Sequence, residues 1–153
     1  MKEKVLSQRR ATTLIIASLL LFIHSAIALA AVDFIQNDLS LALGKSRKEN
    51  RVMMIFFYTD WCGYCKLMDK SIFADSKFTE FSKNLVNIRI NAERGNGAYY
   101  ARGYGVKSYP TVIFVDSWGK ELSRINGYLP PATFLKESQR IVQNKNQQKN
   151  ARQ

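Results

Sequence analysis

The sequence predicts one α/β domain, with strands at its centre and helices around them. Val52 to Tyr58 is a continuous apolar run of strand length, as expected of a strand buried on both faces of a sheet. Leu85 to Ile90 alternates as Leu-Val-Asn-Ile-Arg-Ile, the period of a second strand. Between and around these runs apolar residues recur at helical spacing, so strands and helices interleave along one chain of domain size.

In order, Asp33 to about Lys48 reads as a helix, with Phe34, Ile35, Leu39, Leu41, Ala42 and Leu43 at helical spacing and a charged end. The Val52–Tyr58 strand follows. From Cys62 a helix is expected to about Phe73, with Leu67, Met68, Ile72 and Phe73 on its inner side. Asp75 or Ser76 caps a further turn through Phe78 and Phe81, ahead of the 85–90 strand. Gly95, Asn96 and Gly97 break the chain before a short helix around Ala98 to Arg102, which Gly103 and Gly105 close. Thr111 to Asp116 is a third strand, Ser117-Trp118-Gly119-Lys120 a hairpin turn, and Glu121 to Ile125 a fourth strand. Pro130 and Pro131 start a last helix to about Val142, where a missing N–H costs nothing. Residues 143–153 are polar, basic and low in complexity, and are read as a disordered tail. The domain therefore spans 31–142, and no internal repeat is present.

Residues 1–30 read as a signal peptide. Lys2, Lys4, Arg9 and Arg10 form a basic start, Leu14 to Leu29 an apolar stretch, and Ala28-Leu29-Ala30 a small-x-small cleavage pattern. Cleavage after Ala30 is preferred to an uncleaved anchor, because about 17 apolar residues sit at the lower edge for a membrane span. No cysteine directly follows this stretch, so no lipid-modified N-terminus is expected. Export implies a compartment where disulfides form and persist, the periplasm or its equivalent. After residue 30 the chain carries 19 basic and 11 acidic side chains, a net charge of +8. The excess is spread along the chain without aromatic interleaving, which disfavours nucleic acid as a partner and fits a solvated basic surface.

The chemistry is carried by the only two cysteines, in Phe57-Tyr58-Thr59-Asp60-Trp61-Cys62-Gly63-Tyr64-Cys65-Lys66. A Cys-x-x-Cys at a strand-to-helix turn puts the first sulfur at a helix N-terminus. Unpaired N–H groups and the helix dipole there stabilise a thiolate. A structural zinc site needs about four ligands, and the one histidine, His24, lies in the N-terminal apolar stretch. Covalent haem attachment needs a histidine where Lys66 stands. A structural disulfide across two residues would close too short a loop to add much stability. Disulfide exchange remains, directed at other proteins or at small thiols, because no further cysteine is left for this chain to protect.

The element order, the Trp61–Lys66 motif after the first central strand, and Tyr109-Pro110-Thr111 opening the third strand resemble the thioredoxin family over about residues 33–142. The surrounding residues, including Lys66 with Asp69 and Gly127-Tyr128, are similar to exported thioredoxin-like proteins. Among these is the C-terminal thioredoxin-like domain of the bacterial membrane disulfide reductase. The Gly63-Tyr64 dipeptide is also similar to that of a dimeric periplasmic disulfide isomerase, whose dimerisation domain has no room here.

The resemblance implies a thioredoxin-like fold with a mixed sheet of about four strands flanked by helices. It implies that Cys62, exposed at the helix start, attacks a client disulfide and that the more buried Cys65 resolves the mixed disulfide. Trp61, Gly63, Tyr64, Tyr109, Pro110 and Gly127 would form the substrate-binding surface, with Pro110 after a cis peptide bond. A plain strand-starting proline and an ordinary core tryptophan stay open as readings of Pro110 and Trp61. The family's buried acid, five residues before the motif tryptophan, is replaced by Phe56. Asp69, one helical turn beyond Cys65, could serve Cys65 through a water or be an exposed helix acid, and Asp60 is a second candidate.

No cofactor is implied beyond the Cys62–Cys65 redox disulfide. Tyr64 offers no positive charge to the thiolate, so a reductase or isomerase fed by a membrane electron donor is expected, acting on exported disulfide-containing proteins as a monomer. Two alternatives remain: a non-catalytic peptide-binding module on the same fold, and a client-specific maturation factor, for example for c-type cytochromes.

Overall fold

A computed structural model describes residues 31–151. The expected signal peptide lies outside these residues. Ten elements follow one another: β1 (Ile35–Gln36), α1 (Leu39–Glu49), β2 (Met53–Tyr58), α2 (Gly63–Ser71), α3 (Ser76–Ser82), β3 (Val86–Asn91), α4 (Gly97–Gly103), β4 (Thr111–Val115), β5 (Glu121–Asn126) and α5 (Pro131–Asn150).

The strands form one mixed sheet in the order β1-β3-β2-β4-β5. β2 runs parallel to β3, with Met53 opposite Val86 and Tyr58 opposite Asn91, and antiparallel to β4, with Phe57 opposite Thr111. β2 is therefore central, which is why Met53 to Phe57 carry no polar side chain and are fully buried. Side chains alternate between two cores. Met54, Phe56, Val112 and Phe114 meet α2, α3 and α5 on one face, while Met53, Ile55, Phe57, Ile88 and Ile113 meet α1 and α4 on the other. An aromatic cluster of Phe34, Phe56, Phe73, Phe78 and Phe134 fills the first core, with neighbouring ring centroids 4.9–6.4 Å apart.

Three sequence expectations change. The sheet has five strands, because residues 35–36 pair with β3 instead of starting the first helix. Asn37 takes a left-handed φ of 55° and the Asp38 carboxylate accepts the Leu41 N–H at 2.9 Å, which caps the helix at Leu39. The helical spacing of Phe34 and Ile35 is a coincidence of a two-residue strand. The motif helix begins at Gly63 with Cys62 as its cap, and ends at Ser71. The last helix runs on to Asn150 through the stretch read as disordered. That stretch holds no Gly or Pro, and Asn144, Lys145 and Gln148 line a groove against the β4–β5 turn.

Candidate active site

The site lies where β2 ends. Thr59 accepts the Cys62 N–H through its carbonyl at 3.3 Å, so the chain turns sharply from strand to helix at the cysteine. Cys62 keeps extended dihedrals (φ −70°, ψ 106°) and its sulfur accepts the Cys65 N–H at 3.1 Å. Its sulfur thus holds the place a Ser or Asp oxygen takes at an ordinary helix N-terminus. The two sulfurs are joined as a disulfide. Cys62 is only 4 % exposed and Cys65 1 %, so the first cysteine is less open than the sequence implied. Gly63 and Tyr64, beside it, are exposed.

Two ring pairs flank the motif. Trp61, 68 % exposed, meets the edge of Tyr109 at 6.2 Å, and its Nε1–H donates to Glu93 Oε1 at 2.8 Å. Tyr64 stacks on Tyr128 at 6.2 Å. Burial, reinforced by the Glu93 carboxylate, pushes the Tyr109 phenol above its ordinary pKa. The Tyr109–Pro110 peptide is cis, and the Gly127 N–H donates to the Pro110 carbonyl at 2.8 Å. Antiparallel pairing of β4 with β2 and β5 thus brings Trp61, Gly63, Tyr64, Tyr109, Pro110 and Gly127 to one end of the sheet, around the disulfide.

A polar clamp fixes the loop that carries Trp61. Asp60 accepts from Asn91 Nδ2 at 2.9 Å and pairs with Arg94, while Asn91 Oδ1 accepts the Glu93 N–H at 3.0 Å. The segment after β3 therefore holds both Asp60 and Trp61. Asp60, a candidate acid in the sequence, is engaged here.

Asp69 lies on α2 four residues past Cys65, half-buried, and accepts from Arg89 Nη2 at 3.2 Å. The Arg89 guanidinium lies over Tyr58 at 4.4 Å and over Phe34 and Phe56 at 5.6 Å each. Phe56 itself is fully buried in the cluster that contains both cysteines. Where the family resemblance expects a buried carboxyl, this chain has an aromatic ring beneath an arginine. Arg89, Glu93 and Asn91 are the neighbours that sequence reasoning missed, and Tyr128, quoted only for the resemblance, gains its place against Tyr64 from the structure. Only Arg89 left a trace, as the one charge in the alternating 85–90 run.

Comparison with known proteins agrees with this geometry. The family model described as a thioredoxin-like domain matches residues 39–141. The chain is 31 % identical over 111 residues to the thiol:disulfide interchange protein DsbD of Salmonella typhi, and 26 % over 110 residues to that of Pseudoalteromonas atlantica. These matches cover 70 % and 69 % of the chain but under a fifth of those relatives, 18 % and 19 %. A thioredoxin from Thermus thermophilus superposes with a TM-score of 0.63 at 27 % identity, covering 71 % of this chain and 86 % of that one. The oxidised C-terminal domain of DsbD from Neisseria meningitidis shares the fold at 20 % identity, with a TM-score of 0.58 over 69 % of this chain and 97 % of that one. With its mixed sheet, its Cys-x-x-Cys disulfide capping a helix and this family match, the chain belongs to the thioredoxin-like domain family.

Proposed function

We propose that this protein is an exported thiol:disulfide oxidoreductase that reduces or isomerises disulfides of other proteins. The observation that supports it most directly is the Cys62 sulfur at the cap of α2, bonded to the nearly inaccessible Cys65 and flanked by the exposed side chains of Trp61 and Tyr64.

In the reduced protein the Cys62 thiolate attacks one sulfur of a client disulfide. That bond breaks, the departing client sulfur takes a proton, and a Cys62–client disulfide forms. Cys65 then loses its proton and attacks the Cys62 sulfur. The second client thiol leaves, and the Cys62–Cys65 disulfide returns. Two electrons have passed to the client, and an electron donor at the membrane resets the pair. Trp61, Tyr64 and Tyr109 supply apolar surface to the client segment, Gly63 keeps the approach to Cys62 open, and backbone groups beside Pro110 and Gly127 bind an extended chain. Asp69 serves the Cys65 proton through water, its carboxylate fixed by Arg89. No residue of the Gly63-Tyr64 dipeptide adds positive charge to the thiolate, which favours reduction over strong oxidation.

Equilibration of the purified protein with glutathione buffers tests the direction. A reduction potential at or below about −180 mV is expected, in the range of isomerases and reductases. A value near about −120 mV would mark a strong oxidant and overturn the proposal.

A further inference from the structure

The end of the domain opposite the disulfide carries an exposed tryptophan in a rigid basic setting. Trp118 is 75 % exposed, although it stands in a hairpin turn whose geometry needs only Gly119, at φ 85°. The turn is fixed. Asp116 Oδ1 accepts both the Trp118 N–H at 2.9 Å and the Lys120 N–H at 3.0 Å, and a Cβ on Gly119 would come within 3.3 Å of Leu43. The indole is thus held outward rather than left loose, with the Arg47 guanidinium 5.4 Å from its ring centre.

The charges around it are unbalanced. Arg47 and Lys48 lie in the last turn of α1, which leads into the start of β2, and Lys120 ends the β4–β5 turn. All three are exposed and, among the described residues, none forms an ion pair. The carboxylates nearby are occupied: Glu49 pairs with Arg51, Glu121 with Arg124, Glu137 with Arg140, and Asp116 holds the turn. Asp33 lies apart, in a cleft with Ala31, Lys45, Arg51 and Lys83. That cleft is at the same end of the sheet, since β1 and β3 both start there. The apolar residues 14–29 precede Ala31 in sequence.

We infer that this end of the domain docks on an anionic phospholipid surface, with Trp118 entering the headgroup boundary and Arg47, Lys48 and Lys120 facing lipid phosphates. An indole gains in that boundary because its ring is apolar and its N–H keeps a polar partner. Each clustered cation near an anionic leaflet adds attraction that salt screens. β2 runs from this end to Tyr58, a length of about 20 Å, so docking leaves the Cys62 end of the sheet facing away from the lipid.

The chain has only two tryptophans, one at each end, which makes the test internal. The mature chain from Ala31 as Trp61→Phe reports Trp118, and as Trp118→Phe reports Trp61. Each is mixed with phosphatidylcholine vesicles containing brominated acyl chains, with and without half phosphatidylglycerol. Trp118 emission is expected to shift to the blue and be quenched on the anionic vesicles, while Trp61 emission stays unchanged. The exposed triple change R47Q/K48Q/K120Q is expected to raise the lipid concentration for half-maximal quenching by about tenfold or more. Equal quenching of both tryptophans, indifference to the triple change, or no response of Trp118 overturns the inference; the last outcome would leave an acidic protein as the partner of this patch.

Discussion

Cys62→Ser is expected to lower disulfide reduction, measured as insulin precipitation with dithiothreitol as the electron source, to the rate seen without protein. Serine keeps the helix cap, because its oxygen can accept the Cys65 N–H that the sulfur now accepts at 3.1 Å. The fold should therefore survive while the nucleophile is gone, since an alcohol at neutral pH does not open a disulfide. Cys65→Ala should behave differently. It keeps the attacking sulfur, so covalent client adducts should accumulate that dithiothreitol releases, while turnover still collapses. The contrast between the two variants separates catalysis from mere binding. Activity absent from the wild-type protein as well would favour a peptide-binding module on the same fold, whereas activity retained in Cys62→Ser would remove Cys62 as the nucleophile.

Among the glycines of the described residues, Gly97→Ala should have the largest effect on stability. A Cβ at this position would lie 1.8 Å from the Asn91 carbonyl oxygen and 2.8 Å from its carbon. The obstacle is the end of β3, which cannot swing aside as a flexible side chain would. Such overpacking costs about 3 kcal/mol, or about 10 °C or more in Tm for a domain of this size. The strain also falls on the functional site, because Asn91 holds Asp60 and precedes the Glu93 that fixes Trp61. Thermal unfolding followed by circular dichroism reads the first effect, and tryptophan emission in the native baseline the second. A Tm within about 2 °C of wild type would mean that α4 moves freely relative to β3.

The sequence made the chemistry legible because it is local. Two cysteines two residues apart, after an apolar strand, define a sulfur at a helix start without any knowledge of distant contacts. The central strands were equally plain, since Val52–Tyr58 and 85–90 are buried by pattern alone. The departures have one physical origin, which is that short-range periodicity ignores pairing partners. Residues 35–36 look helical until β3 offers them an edge, and Asn37 and Asp38 then set the true helix start. The polar residues after Val142 lack a hydrophobic stripe, yet they continue a helix already nucleated from Pro131. Around the disulfide, Arg89 over three rings and Glu93 on the Trp61 indole each join residues about 30 or more positions apart. Sequence spacing cannot reveal such pairs. The substitution of Phe56 for an acid was visible, but the arginine set above it was not.

The claim on which the mechanism rests is that the Cys62 sulfur, at the start of α2, ionises more readily than a free thiol. The most direct measurement is the rate of iodoacetamide alkylation of the reduced protein from pH 4 to 10, with each cysteine followed by mass spectrometry. Cys62 is expected to react first, with a midpoint at or below about 7.5, while Cys65 stays largely unmodified. Two cysteines titrating together near about 8.5, the value of a free thiol, would contradict it.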